Sequence, residues 1–358
     1  MQGIAKRITV LKALWTMNLK ELSETLGLSQ TTVSRALNGY PEVSEATRTR
    51  VEMAARKFNY SPSSRAKGLA TGKALAIGHV IPTRSKHEMV NPVFGDFIAG
   101  AGEIYAQNGY EMILSIVNAD ANEETVYRGL QSRRAVDGVV IHGPRMADDR
   151  IPLLNEIGLP FVVHGRASEI SEPYEWLDVN NKHAFERATQ FLIDLGHRRI
   201  ALINGLEVMD FARRRRLGYE TALNSEDLDI DESLIFSEEM TEEYGYETTR
   251  TLLDRSDAPT AVVASSMIIA LGVRRAIEER GLVMGKDLSI VTHDDMLSYL
   301  QNGGDVPIFT ATRSSVREAG RKAAEMLLQK ISDPTTPQQN ILFEAELTVG
   351  RSTGPAPN

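Results

Sequence analysis

The apolar positions near the start of the chain follow a helical period, at Leu19, Leu22 and Leu26. Asn18 is a suitable N-cap for this helix, with Glu21 as its capping-box partner, and Gly27 is a suitable left-handed C-cap. Two further helices are predicted, each preceded by a serine N-cap: 30–37 after Ser29, and 45–58 after Ser44. Residues 17–60 are therefore predicted to form a compact helical unit.

From residue 74 onward, short apolar runs alternate with amphipathic helical patterns. Strands are predicted in a first series at 74–81, 111–117, 138–142 and 160–164, and in a second at 199–204, 234–236, 261–265 and 288–293. Helical patterns lie between them, at 94–108, 123–134, 149–157, 211–224, 242–254 and 268–280. This alternation is typical of α/β folds, in which helices cover both faces of a parallel sheet. Two series predict two doubly wound lobes, with a ligand cleft at the carboxyl ends of their strands.

The charge is distributed unevenly along the chain. The 358 residues carry a net charge of −8, but residues 1–73 have 12 basic and 5 acidic side chains, and the remainder has 28 and 43. The head is thus +7 and the body −15, so polyphosphate attracts one and repels the other. The chain has no cysteine, which fits a reducing compartment, and no apolar run of the ~18 residues that a membrane span needs. We expect a cytoplasmic protein, associated with the nucleoid when bound to DNA.

The second predicted helix carries side chains suited to contacting DNA bases. Two helices joined by a tight glycine-containing turn form the arrangement in which the second helix enters the major groove. Gln can pair with adenine, Arg with guanine or phosphate, and the Thr methyl can touch a thymine methyl. The candidate DNA-contacting residues are Gln30, Thr31, Ser34 and Arg35. The pattern alone is also compatible with a three-helix packing unit whose polar residues are merely solvated.

Several motifs in this region agree in order and spacing with one family of bacterial regulators. They are Leu28-Ser-Gln-Thr-Thr-Val-Ser-Arg-Ala-Leu-Asn38, Val43-Ser44, Thr47-Arg48 and Asn59-Tyr60-Ser61-Pro62, followed by Arg65-Ala66, Leu69-Ala70 and Gly72-Lys73. On these residues the chain resembles the LacI/GalR family. The resemblance implies an all-helical helix-turn-helix head and a body like a type I periplasmic sugar-binding protein.

Residues 61–73 are interpreted as a hinge between head and body. The resemblance implies that this segment becomes a short helix on operator DNA and that a leucine from each subunit of a dimer wedges into the minor groove. By position that leucine is Leu69, with Arg65 placed to meet a phosphate. An apolar wedge unstacks and bends the duplex, which increases the contact area. The alternative for Leu69 is packing of a linker onto the body.

The resemblance also implies that the chain passes repeatedly between the two lobes. We expect 74–176 and 314–332 in the first lobe, and 177–313 and 333–353 in the second, with 349–353 as the closing strand. No leucine heptad follows that would assemble a tetramer. Residues 1–16 are expected to be a disordered extension, as most free chain termini are. They lack the apolar core and cleavage site of a signal peptide, and Met17 is an equally suitable start.

Three residues of the second lobe are candidate effector contacts. Arg215 aligns with the arginine of the family's Arg-x-x-Gly-aromatic motif, which binds effector oxygens as a bidentate donor. The other three arginines of the run 213–216 are expected to be solvated or paired with acids. Asp294 stands at a family aspartate that accepts from effector hydroxyls, although His293 replaces the usual aromatic. Ser265 stands where the family has Asn or Ser.

Three more candidates would form the walls of the cleft. Phe94 matches an aromatic of the family that lines the first lobe, His164 ends its strand facing the cleft, and Phe211 is a second candidate wall. Aromatic faces combined with Arg and Asp suit a sugar, which has an apolar face and polar edges. For Phe94 and Phe211, ordinary core packing is an equal alternative.

Enzymatic and metal-dependent functions find little support in the residues. His293-Asp-Asp could begin a metal site, but no second cluster lies at ligand spacing. The segment 281–287 has the wrong spacing for a phosphate-binding loop, and no nucleophile motif is present. We therefore expect no catalytic residue, no metal and no cofactor.

We expect a sequence-specific transcriptional repressor that binds a near-palindromic operator as a homodimer. A small-molecule effector in the cleft would act as inducer or as corepressor, and the residues do not choose between the two. The head and first lobe resemble regulators of α-glucoside uptake operons in rhizobia-type bacteria, which suggests maltose, trehalose or sucrose. The alternatives are a periplasmic sugar-binding protein and an enzyme on the same fold.

Overall fold

The computed structural model of the chain describes residues 17–60, 72–83, 91–118 and 122–357. It separates into a small unit that ends at Ala74 and a larger unit that begins at Leu75. The predictions for the extension 1–16 and for Arg65 and Leu69 in the hinge lie outside the described residues.

The small unit consists of three helices: α1 Leu19–Leu26, α2 Gln30–Leu37 and α3 Glu45–Lys57. The predicted capping box is confirmed, since the side chain of Asn18 accepts from the Glu21 amide and that of Glu21 accepts from the Asn18 amide, both at 3.0 Å. Gly27 ends α1 at a φ of 63°, a conformation that favours glycine. The apolar faces of the helices meet in a core that includes Leu22, Val33, Ala36 and Val51.

The first lobe of the larger unit is built on a six-stranded parallel sheet. Its strands, numbered in chain order, are β1 Ala76–Thr83, β2 Glu111–Asn118, β3 Gly138–His142, β4 Phe161–His164, β5 Trp176–Val179 and β11 Asn340–Phe343. They lie in the order β11-β5-β4-β3-β1-β2. The helices of this lobe are α4 Pro92–Gln107, α5 Glu123–Ser132, α6 Arg150–Ile157 and α11 Val316–Ser332. The continuous apolar run of β3 is buried because helices cover both faces of the sheet.

The second lobe repeats this plan. Its strands are β6 Ile200–Asn204, β7 Ile235–Ser237, β8 Ala261–Ala264, β9 Ser289–Asp294, β10 Thr310–Arg313 and β12 Glu346–Thr348, in the order β12-β10-β9-β8-β6-β7. Its helices are α7 Asn181–Asp194, α8 Asp210–Ser225, α9 Glu242–Leu253 and α10 Met267–Glu279, and a 3₁₀ turn spans Glu232–Leu234. All strand pairs are parallel except β10 with β12. The predicted fold class, a helical head with two doubly wound lobes, is confirmed.

Two lobe boundaries differ from those that the sequence predicts. Strand β5 pairs with β4, so the first lobe extends to Val179 rather than to residue 176. Strand β11 pairs with β5, so 340–343 belongs to the first lobe, and the chain returns to the second lobe at Glu344–Ala345 instead of after residue 332. β11 is a four-residue edge strand with alternating exposure, and such a pattern does not specify which sheet it joins.

The closing strand is also displaced. The last strand, β12, ends at Thr348, and the segment 349–353, which the sequence predicts to be the closing strand, is irregular. This segment is nevertheless fixed, because Ser352 accepts from the Ile290 amide through its carbonyl at 2.8 Å and donates to the Ile290 carbonyl through its hydroxyl at 2.6 Å.

Candidate functional site

Helix α2 of the head presents a polar edge. Gln30, Thr31 and Arg35 are exposed, Ser34 is partly buried, and the intervening Val33 is buried in the core. The helix begins at Ser29, whose hydroxyl accepts from the Thr32 amide at 3.0 Å. No described residue forms an ion pair or hydrogen bond with the Arg35 guanidinium. The candidate base-contacting side chains therefore lie on one accessible edge of the helix, as major-groove recognition requires.

In the larger unit, the carboxyl ends of the two sheets face each other. The segment that leaves β3 meets the start of α8, since the Asp210 amide donates to the Pro144 carbonyl at 3.1 Å. Ser168, which follows β4, donates to the Asp210 carboxylate from its amide at 2.7 Å and from its hydroxyl. Arg214 also pairs with Asp210. This edge is where ligands bind in doubly wound folds.

Arg215 lies at the second lobe's side of this junction. Its Nε donates to the Asn181 side chain at 2.8 Å, and its Nη1 donates to the Ser265 carbonyl at 2.6 Å. The guanidinium lies over the rings of Phe185 and Phe211, 5.0 and 4.9 Å from their centroids. No described residue accepts from Nη2. The predicted residue is therefore held rigidly, with part of its fork unused.

Arg215 is held by a cluster at the point where the strand order of the second sheet reverses. Ser265 follows β8, and its buried hydroxyl donates to the side chain of Asn204, at the end of β6, at 2.6 Å. Asn181 in turn donates to Asp178 at 3.2 Å. Ser265 thus meets Arg215 through its backbone carbonyl, while its hydroxyl is occupied by Asn204.

The paired aspartates after β9 have different surroundings. Asp294 is buried and accepts from the Met296 amide at 2.8 Å and from Arg313 at 3.2 Å. Asp295, rather than Asp294, is the member of the pair whose charge acts on Arg215. Burial raises the pKa of Asp295 to about 6, although Arg215 opposes the shift. Burial likewise lowers the pKa of Arg215 to about 10, against the opposing charges of Asp295 and Asp178. The second aspartate, not only the first, belongs to the site.

The first lobe contributes an aromatic wall with histidines. Phe94 lies edge-on to His142, with 5.1 Å between ring centroids. His164 stacks on Phe97 at 4.3 Å and lies 6.0 Å from His142. Burial lowers the pKa of His164 to about 4, so its ring is neutral at neutral pH. Phe94 thus lies against His142, which ends β3, and His164 ends the neighbouring strand β4.

Several residues of the site were not identified from the sequence. They are His142, Asp295, Asn181, Ser168 and Asp210. His142 had a usable signal, because it ends β3 as His164 ends β4. The other four act through contacts between residues distant in the sequence, such as Ser168 with Asp210, and no local pattern reveals such contacts.

Among the described residues, the structure shows neither a metal-binding cluster nor a membrane-spanning helix. Within the described ranges, no group of three or more His, Asp or Glu side chains is arranged to hold a metal ion. None of the helices that the structure describes is long and apolar enough to cross a membrane.

Two family descriptions match the chain. Residues 18–63 match that of bacterial regulatory proteins of the lacI family, and residues 189–353 match that of the periplasmic binding protein-like domain. The chain is 45% identical over 343 residues to the HTH-type transcriptional regulator AglR of Rhizobium meliloti (strain 1021), an alignment that covers 96% of each protein.

Two solved structures resemble the whole chain. The structure of the lac repressor dimer bound to operator and the anti-inducer ONPF has a TM-score of 0.81 at 26% identity and covers 95% of this chain and 100% of that one. The complex of the transcriptional regulator CelR with cellobiose has a TM-score of 0.69 at 27% identity, with coverage of 94% and 99%.

Proposed function

We propose that this chain, which belongs to the lacI family of bacterial regulatory proteins, represses transcription by binding an operator as a homodimer, under the control of a sugar bound between its lobes. It is a transcriptional regulator with a helix-turn-helix DNA-binding head. The observation that carries the sugar-sensing part is Arg215, a buried guanidinium with an unused donor at the facing ends of the two sheets. As a DNA-binding regulator it would work in the cytoplasm, on the nucleoid.

On the DNA side, α2 would lie in the major groove. Its exposed edge offers Gln30 and Thr31 to base edges and Arg35 to guanine or phosphate, while Ser34 is partly engaged by Asn38. A dimer would place two such helices in successive major grooves of a near-palindromic operator. The minor-groove wedge by Leu69 and the phosphate contact by Arg65 are proposed from the family resemblance.

On the effector side, the pocket would combine polar and aromatic groups from both lobes. The second lobe offers Arg215, Asp294 and the Phe211 ring, with Ser265 holding the arginine, and the first lobe offers Phe94 and His164. A sugar fits this chemistry because its hydroxyls match the polar groups and its apolar face matches the rings. CelR has been solved with cellobiose, also a disaccharide. We propose an α-glucoside such as maltose, trehalose or sucrose.

The two activities would be coupled through the lobes. A sugar that binds one arrangement of the lobes more tightly than another shifts the population towards it. If that arrangement changes the affinity for operator DNA, the DNA must change the affinity for the sugar by the same factor.

The test is a titration of the purified protein onto the DNA upstream of its own gene, with and without maltose, trehalose or sucrose. We expect binding that weakens steeply with salt, because phosphate contacts release counterions, and that one of the sugars shifts. Scrambled DNA of the same length is the control. Equal affinity for both DNAs at every salt concentration would refute the operator assignment, and specific binding that no sugar alters would refute the effector class.

A further inference from the structure

Three histidines of the first lobe form a line of ring contacts that the proposed pocket uses only at its end. The Nδ1 of His79, in the middle of β1, lies 2.9 Å from the Nε2 of His142. The Nε2 of His79 lies 3.3 Å from the hydroxyl of Tyr105 on α4. His79 and Tyr105 are essentially inaccessible to solvent, whereas His142 is only partly buried. The line therefore runs from the interior of the lobe to the carboxyl end of the sheet.

The hydrogen bonds of this line allow one consistent placement of the protons. Burial lowers the pKa of His79 to about 3 and that of His142 well below its usual range, so each neutral ring carries one N–H. The Tyr105 hydroxyl has no other described partner, and an unpaired buried donor costs about 1–3 kcal/mol, so it donates to Nε2 of His79. His79 must then donate from Nδ1, and His142 accepts at Nε2. The proton of His142 is left on Nδ1.

The Nδ1 of His142 has no described partner. This nitrogen is not fully buried, so a ligand can reach it. The next residue, Gly143, lies beside the second lobe, because a Cβ added there would come 2.8 Å from Cε of Met209. The accessible N–H of His142 thus stands at the end of β3, where the two lobes meet.

We propose that His142 is a further effector-contacting residue, and that Tyr105 and His79 are positioning residues that hold its proton on Nδ1, so that the ring donates to a hydroxyl oxygen of the ligand. This inference rests on the proposed function and adds a specificity determinant to the same site. His164 has no described hydrogen-bond partner, so either of its tautomers can serve. The line makes His142 a donor only, which selects for an acceptor oxygen at this position of the sugar.

The first experiment reads the proton directly. Full-length protein labelled with ¹⁵N only at histidine is examined by solid-state NMR, in which protonated and unprotonated ring nitrogens have distinct shifts. We expect His142, assigned by comparison with the His142→Phe variant, to carry its proton on Nδ1. Tyr105→Phe should release this preference, since His79 no longer has to accept at Nε2. Protonation of His142 on Nε2 in the unsubstituted protein would overturn the proposal.

The second experiment measures the half-shift concentration, which is the sugar concentration at which half of the change in operator binding has occurred. It is measured for maltose, trehalose and sucrose. His142→Phe should raise it roughly tenfold, as expected for loss of one hydrogen bond. His142→Asn should recover part of the loss, because its amide nitrogen can replace Nδ1 as donor. Tyr105→Phe should raise it roughly threefold, although Tyr105 is buried away from the ligand. Tyr219→Phe is the matched control, since it removes an equally buried hydroxyl, bonded to the Ile200 carbonyl in the other lobe.

The outcomes separate the inference from the function on which it rests. Unchanged half-shift concentrations in His142→Phe, with an unsubstituted protein that responds to sugar, would overturn the inference and leave the proposed function intact. Equal losses in Tyr105→Phe and Tyr219→Phe would reduce Tyr105 to a packing role and overturn the proposal that Tyr105 and His79 position the proton of His142. If the unsubstituted protein responds to none of the three sugars, the proposal of an α-glucoside effector is refuted. The NMR spectrum alone then decides whether Tyr105 and His79 hold the proton of His142 on Nδ1.

Discussion

At the residue scale, the buried guanidinium of Arg215 is an expensive group to keep in a fold. Its two described hydrogen-bond acceptors, the Asn181 side chain and the Ser265 carbonyl, are neutral. A buried charge without a directly bonded counterion destabilises the fold. Such a group is therefore expected to have a function that offsets this cost. The faces of Phe185 and Phe211 recover part of this free energy through cation–π attraction. A ligand that accepts from the unused Nη2 would account for the rest.

Replacing Arg215 by methionine should therefore separate sensing from DNA binding. We expect Arg215→Met to fold and to bind the operator with unchanged affinity, while the sugar concentration for half-shift rises roughly tenfold or more, because a charged hydrogen bond to the ligand is lost. The measurement is the operator titration with sugar. Arg213→Met, in the same helix and without a described partner, is the control and should respond normally. Loss of operator binding in Arg215→Met would show instead that Arg215 is a structural residue.

The neighbouring arginines show how far residue type alone predicts a role. The expectation that they pair with acids is confirmed for Arg214, which binds Asp210, and for Arg216, which binds Glu207, Glu220 and Glu232. What the sequence pattern did not anticipate is that Asp210 also accepts from Ser168 of the other lobe. Pairing within a helix follows from the spacing of residues, whereas contact between lobes depends on the fold.

At the element scale, pairs of helices approach closely where each carries a glycine. Gly272 of α10 lies against α9, since a Cβ added there would be 2.0 Å from the Glu242 carbonyl oxygen and 2.6 Å from the Tyr246 nitrogen. Gly245 of α9 makes the reciprocal contact, and Gly320 with Gly100 does the same between α11 and α4. These glycines are needed for space rather than for an unusual backbone conformation, since none of them has a positive φ.

A methyl group at Gly272 should push α9 and α10 apart. We expect Gly272→Ala to lower the free energy of unfolding by about 1–3 kcal/mol, the range for overpacking, because backbone atoms cannot move aside as a side chain can. Gly95→Ala is the control, since it lies in α4 with nothing within 4 Å of the added Cβ. It should stabilise by about 0.5–1 kcal/mol through helix propensity. Urea unfolding of both variants checks this, and equal stabilities would contradict the close approach.

Most elements could be predicted because their patterns are strong, and most of the others have weaker patterns. Strand β10, Thr310–Arg313, is polar in sequence yet its threonines are buried, so no apolar run marked it. The four-residue β5 contains Asp178 and lies at the predicted lobe boundary, where no apolar run marks a strand. Helix α7 does carry an apolar period at Ala184, Phe185, Ala188 and Leu192, so the sequence held a signal for it.

At the scale of the whole molecule, burial favours the neutral form of five of the described histidines in the larger unit. Burial lowers the pKa of His79 to about 3 and that of His164 to about 4, and it lowers those of His142 and His293 well below the usual range. It also lowers the pKa of His197. Histidines of the unfolded chain titrate near 6.5. As the pH falls below that value, the unfolded chain therefore binds more protons than the folded chain, and the folded state loses stability. Asp295 and Asp178, whose pKa values burial raises, act in the opposite direction but are fewer than the histidines.

Stability should therefore fall as the pH drops from about 6.5 towards 4. His79 alone would account for about 3 kcal/mol at pH 4, from its shift and the free energy of one pKa unit. The measurement is urea unfolding between pH 7 and pH 4.5, followed by circular dichroism, for the unsubstituted protein and His79→Leu. We expect the free energy of unfolding to fall less steeply with decreasing pH in the variant. The difference in slope should be up to about that of one proton bound on unfolding. Parallel pH dependences would mean that His79 does not resist protonation in the folded state.

The sequence by itself determined most of the elements and the family. Helical and strand periods, capping residues and the charge contrast between head and body are local properties, and they are legible because each residue's preference agrees with the fold. The motif order around α2 was sufficient to predict a regulator, and the comparisons confirm it.

Only the tertiary structure decided which residues meet. Four contacts join residues that lie 19 to 164 positions apart in the chain. They are the pairing of β11 with β5, the bond from Arg313 to Asp294, the Ser168–Asp210 contact and the Tyr105–His79–His142 line. Such contacts depend on how the sheets twist and on which carboxyl ends face each other. No periodicity along the chain encodes that geometry, because periodicity reports which face of an element is buried and not what lies against it.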